Sequence, residues 1–257
     1  MITFFSAIIL GIVEGITEFL PISSTAHLIL TSKLLGIRQY PFTEVFIIAI
    51  QSGAILSVIV VYWRKLINFE IQKKIIAAFI PTAIIGFLLY NLITKYFWEG
   101  IGIMLVALYC GGWILIYFEK FFVNSRDNLS IEELNYKKAF IIGLAQSIAI
   151  IPGVSRSAAT IISGRLLGLG RDDVVEFSFL LAVPTIMAAT MFDIIKNINI
   201  FTVEHISILG IGFVTAFISA LLSIRFFLSY INNHSFRVFG IYRIALAFVC
   251  LALLAYF

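Results

Sequence analysis

Six residues with chemistry to offer crowd into "EGITEFLPISSTAH" (14–27), inside an otherwise oily N-terminus: Glu14, Glu18, Ser23, Ser24, Thr25 and His27. Glu14 and Glu18 stand i,i+4 and share a helix face. Carboxylates at membrane depth are costly and face a cavity or a partner. This pair suits a hard divalent cation, Mg²⁺ or Ca²⁺, that completes its shell with phosphate and water; general acid–base work is the competing role. Pro21 breaks the helix, and Ser23 or Ser24 can cap the one that follows. Free N–H groups at such a start attract an anion, commonly a phosphate. His27 comes three residues after Ser24, within reach of its hydroxyl on a first helical turn. A base beside a hydroxyl is the usual way to make serine a nucleophile.

A second stretch answers the first. "GIVEGITEFLPISSTAHLILTSKLLG" (11–36) overlays "GLAQSIAIIPGVSRSAATIISGRLLG" (143–168) without a gap at an offset of 132, with eight of 26 positions identical. Glu44 and Glu176 keep the same offset. The second copy exchanges chemistry for charge: Gln146 replaces Glu14, Ile150 replaces Glu18, Arg156 replaces Ser24 and Ala159 replaces His27. Arg156, in "PGVSRSAAT" (152–160), can grip phosphate oxygens bidentately and steady a phosphoryl-transfer transition state. Ser155, Ser157 and Thr160 can add hydrogen bonds. An ion pair from Arg156 to Glu14 or Glu18 is the simpler role, and substrate could share or displace it.

The elements that hold these residues are membrane helices. Of 257 residues, 61% are hydrophobic and 12% charged, with a mean hydropathy of +1.06; soluble domains are about half apolar and a quarter charged. Crossing a bilayer takes about 20 apolar residues, and six runs qualify: 42–63, 75–93, 101–118, 174–195, 206–228 and 237–257. Residues 2–35 and 139–168 are too long for one crossing and broken at a proline, which predicts two re-entrant hairpins. With three spans between them, the second copy is inverted. The predicted fold is all-α: one membrane domain over 1–257, repeat one about 1–120 and repeat two about 137–257, with a site near mid-bilayer between the broken helices.

Lys33, Arg38, Lys95 and Lys196 fall on one side of this topology against thirteen Lys and Arg on the other. The richer side is cytoplasmic by the positive-inside rule. Both termini and the mouth of the first hairpin are then outside. The net charge of +4 reflects those loops and is no nucleic-acid signal. "MITFFSAIIL" lacks the basic start of a secretory signal and reads as mature sequence. Cys110 and Cys250 lie in apolar runs and suggest neither disulfide nor zinc site.

With these residues in hand, "EGITEFLPISSTAH" and "PGVSRSAAT" resemble the paired signatures of the bacterial undecaprenyl-diphosphate phosphatase, or bacitracin-resistance, family. The likeness covers essentially the whole chain. It implies hydrolysis of a polyprenyl diphosphate to the monophosphate that carries cell-wall precursors, in the cytoplasmic membrane, with the site open to the outer face. It also implies roles: Ser24 as nucleophile, His27 as its activator, Glu14 and Glu18 as required carboxylates that can hold a divalent cation, and Arg156 with Ser155 and Thr160 on the phosphate. Ser23, Thr25 and Ser157 are the remaining candidate contacts. Ala26 and Ala158 stand where the usual motifs carry glycine. A histidine-nucleophile lipid phosphatase would need a histidine soon after its Ser-Arg pair, and "SRSAATIISG" has none. The rival reading is a carrier that moves polyprenyl phosphate through the same inverted-repeat anion site; a homodimer is compatible with either.

Overall fold

Among the described residues, apolar periodicity and a few prolines give ten α-helices. The computed structural model describes residues 2–38, 40–122, 129–231 and 233–256, with 91–99, 121–122 and 254–256 as helical backbone only. Among these residues the only β-pairing is an isolated bridge between Leu129 and Leu169.

Among the described residues five helices are long and apolar enough to cross a membrane: α3 (Pro41–Leu66), α4 (Phe69–Glu99) over Phe69–Tyr90, α5 (Ile101–Phe122) over Ile101–Lys120, α8 (Arg171–Lys196) and α9 (Val203–Ile231). Their outward faces expose large apolar groups such as Phe87, Leu88, Ile195 and Leu222, a pattern that suits lipid rather than water. The chain is a multi-pass membrane protein. The sixth expected run forms α10 (Arg237–Tyr256) but is not among the five. It carries Arg237 and Arg243, and Phe257 lies outside the described residues.

Four shorter helices come from the two broken stretches: α1 (Phe4–Thr17), α2 (Ser24–Leu34), α6 (Tyr136–Gln146) and α7 (Arg156–Leu166). At about 1.5 Å per residue none is long enough for a hydrocarbon core of about 30 Å. Each pair folds back on itself, with α1 on α2 and α6 on α7. The α1 helix lies along α9, α6 lies along α4, and α5 pairs with α10. The α3 helix packs against both α8 and α9.

Small residues let these helices approach closely, as membrane interfaces without a hydrophobic driving force require. A Cβ on Gly11 would come 2.6 Å from the Gly212 carbonyl of α9. On α6, a Cβ on Gly143 would run into the Ala78 carbonyl of α4, while Thr82 donates to the Gly143 carbonyl at 2.9 Å. Gly143→Val is therefore expected to destabilise the fold by about 1–3 kcal/mol through overpacking, read as a lowered thermal midpoint in detergent.

Candidate active site

The first break is built around a strained serine. After α1 ends, Ser23 takes φ 70° and ψ 89° and is the only non-glycine residue described with positive φ. Such backbone is costly and collects at functional sites. Here the imidazole holds it: His27 Nδ1 lies 2.8 Å from the Ser23 carbonyl. A carbonyl can only accept, so Nδ1 carries the proton, and in the neutral ring Nε2 accepts from the Tyr242 hydroxyl at 2.8 Å. Both ring nitrogens are thus engaged away from Ser24, contrary to the contact expected from their spacing.

Ser24 instead donates to Glu18 Oε2 at 2.5 Å. Ser23, although at the N-cap of α2, makes no side-chain capping bond, so the first-turn N–H groups lack the usual partner. At the second break the sequence does the conventional thing: Ser155 accepts from the Ala158 N–H at 3.2 Å and caps α7. The two copies differ where an anion would meet the helix start.

Arg156 joins the halves. Its Nη2 lies 3.2 Å from Glu18 Oε1, an ion pair nearly removed from solvent. Nη1 donates to the Ser178 carbonyl on α8 at 2.7 Å. Ser24, Glu18 and Arg156 therefore form one continuous chain of polar contacts across the two breaks. Of the two partners the sequence left open for Arg156, Glu18 makes the ion pair. Ser157 donates to the Phe19 carbonyl at 2.9 Å, tying α7 to the first break, and Thr160 meets the Ser178 hydroxyl at 2.6 Å. Both face internal partners. Ala26 and Ala158 are buried.

Glu14 is fully buried beside the Glu18 carboxyl, and no donor among the described residues pairs with its oxygens. It interacts electrostatically with Glu18 and with Arg156. Among the described residues no three His, Cys, Asp or Glu side chains converge. A cation here would rest on two carboxylates and draw its other oxygens from a bound phosphate and water, which is how Mg²⁺ is often held. At the matching position Gln146 donates to Thr82 at 3.0 Å and to Thr185 at 3.2 Å, leaving its own oxygen unpartnered.

A cavity of about 700 Å³ lies beside the breaks. Thr25, Ile150 and Pro152 line it at the breaks, and Glu44, Asp193 and Lys196 line it where α3 begins and α8 ends. Thr82 and Thr185 border it together with Phe79, Phe87 and Phe192. Apolar walls with a few convergent polar groups are the usual form of a small-molecule site.

Sequence reasoning missed Ser178, Tyr242 and Arg243. Ser178 had a signal, a hydroxyl inside the apolar run "EFSFLLAV". Arg243 is one of the thirteen cations that the sequence topology puts on the cytoplasmic side, yet it sits within α10 at 1% exposure. Removing it from that side's thirteen leaves the charge bias intact.

Known proteins resemble this chain along nearly its whole length. The family model described as bacitracin resistance protein BacA matches residues 7–249. An undecaprenyl-diphosphatase of Aquifex aeolicus is 51% identical over 248 residues, covering 96% of this chain and 97% of the relative. One from Persephonella marina is 53% identical over 248 residues, covering 95% and 96%. One from Campylobacter jejuni is 47% identical over 249 residues, covering 95% and 92%. The family model matched over residues 7–249, with relatives 51% and 53% identical over nearly their whole length, places the chain in the bacitracin resistance protein BacA family.

Proposed function

We propose that the protein is a membrane phosphatase that hydrolyses undecaprenyl or a similar polyprenyl diphosphate to the monophosphate and inorganic phosphate, recycling the carrier lipid of cell-wall synthesis. The observation that carries this reading is the chain of contacts Ser24–Glu18–Arg156 beside an uncapped helix start. The names of the relatives, undecaprenyl-diphosphatases, point the same way.

The resting contacts suggest how the reaction begins. The outer phosphate takes the Arg156 fork in place of Glu18 and meets the open N–H groups of α2. Glu18, released from the guanidinium, accepts the proton of Ser24. The Ser24 oxygen, or a water its hydroxyl positions, then attacks the outer phosphorus. The bond from that phosphorus to the bridging oxygen breaks, and the lipid leaves as its monophosphate. Where Ser24 has attacked, a water then displaces its oxygen from phosphorus, which releases inorganic phosphate and restores the hydroxyl; where water attacks directly, its proton passes through the Ser24 hydroxyl to Glu18. His27 keeps the Ser23 turn in its left-handed form, so the helix start stays aimed at the phosphate. Thr25, which borders the cavity, and Ser155, at the start of α7, are the polar contacts nearest the incoming headgroup.

Glu14 and Glu18 would hold a divalent cation, which supplies charge neutralisation to the phosphate oxygens when bound. The fit rests on the unpartnered Glu14 carboxyl. A chelator is expected to suppress phosphate release, and added Mg²⁺ or Ca²⁺ to restore it.

The architecture in this reading is an inverted repeat with two re-entrant hairpins and six spans, in a bacterial cytoplasmic membrane. The short helices and their gapless overlay support it. The end of the cavity with Glu44, Asp193 and Lys196 is the end poor in Lys and Arg, which supports a site open to the outer face. The test is phosphate release from a polyprenyl diphosphate by purified protein in detergent, where transport has no meaning. Release at a rate that depends on Ser24 supports the phosphatase; lipid movement in liposomes without hydrolysis would replace it with a carrier.

A further inference from the structure

Arg243 is the largest fully buried side chain described, yet the reaction outlined above does not use it. It forms no ion pair among the described residues. All its partners are backbone carbonyls: Nε donates to Leu108 at 3.4 Å, and Nη2 to Ala107 and Gly153 at 3.0 Å each. Nη1 donates to Pro21 at 3.4 Å. A buried cation without a carboxylate is costly, so its place calls for a reason.

The partners supply one. Pro21 lies three residues before Ser24 and Gly153 three before Arg156, and the two positions match at the 132-residue offset. One guanidinium thus grips the same carbonyl in both breaks while anchored to α5. A planar fork with five donors can span three separate segments, whereas the ammonium of a lysine is a single point. The α5 helix leaves room for it: a Cβ on Gly111 would strike Nη2 and lie 2.7 Å from Cζ. The preceding residue, Tyr242, bonds His27 on α2, so successive residues of α10 act on the site.

We infer that Arg243 is a positioning residue: its guanidinium ties the two helix breaks together and sets the separation of Ser24 and Arg156 that a single diphosphate requires. The inference rests on the phosphatase reading. It predicts a loss in turnover rather than in binding, since misplacing reacting groups by about 1 Å can cost roughly a hundredfold.

Two variants test it, with kcat and KM measured separately for phosphate release in detergent and expressed per folded molecule. Arg243→Lys keeps the charge and loses the fork; kcat should fall roughly a hundredfold with KM within about threefold. Gly111→Ala leaves the arginine intact and improves helix propensity, yet its methyl displaces the guanidinium. Its kcat per folded molecule should fall about tenfold, whatever the change in melting temperature. Wild-type kcat in either variant overturns the inference, because charge or mere packing would then suffice. A wild-type protein that releases no phosphate overturns the phosphatase reading and this inference with it.

Discussion

Ser24→Ala should lower kcat for polyprenyl-diphosphate hydrolysis at least about a thousandfold while leaving KM within a few-fold, the signature of a group needed in the transition state but not for binding. The reason is where the hydroxyl sits. It is buried, its proton is already directed to Glu18 at 2.5 Å, and it begins a helix whose first N–H groups lack a cap. Removing one oxygen leaves the Arg156 fork and the helix start free to hold substrate, so affinity should survive. Steady-state kinetics on the purified variant check this. A loss of only about tenfold would mean that water attacks without help from the hydroxyl, and the role given to Ser24 would be withdrawn.

The second large effect concerns the pair that joins the hairpins. Arg156→Ala leaves the Glu18 carboxylate buried without its cation, and breaking a buried pair on one side typically costs about 3–5 kcal/mol. The same change removes a charge aimed at the phosphate, and losing one such donor costs roughly 10²–10³ in rate. Stability and activity should therefore fall together. They separate in the double variant Glu18→Gln with Arg156→Met, since replacing both charges by neutral groups of similar volume is often close to neutral for stability. Its thermal midpoint should return towards wild type while hydrolysis stays lost. Restored activity would remove both residues from the mechanism; an undisturbed midpoint in Arg156→Ala would show that the ion pair adds nothing to the fold.

Much of this was legible in the one-dimensional chain because polar chemistry in an apolar setting breaks a local rule, and such breaks mark function. Glu14, Glu18, Ser24 and Arg156 stand out against leucine and isoleucine by composition alone. Pro21 and Pro152 announce where helices must stop, since that is a property of a residue and its neighbours. The overlay of 11–36 on 143–168 needs only spacing.

Partner choice was not legible. Spacing suggested Ser24 with His27, but the turn at Ser23 points the hydroxyl back towards Glu18 and gives the imidazole to the Ser23 carbonyl and Tyr242. The seat of Arg156 on Ser178 depends on how α8 crosses α7. In α10, hydropathy showed one more apolar run, and nothing local told a loop arginine from one buried against Pro21 and Gly153. The sequence by itself determined the membrane class, the two breaks and which side chains have chemistry to offer, because each follows from residue type and period. Only the tertiary structure decided which of those groups meet, because a hydrogen bond needs its atoms within about 3 Å, and that distance is set by the packing of helices far apart along the chain.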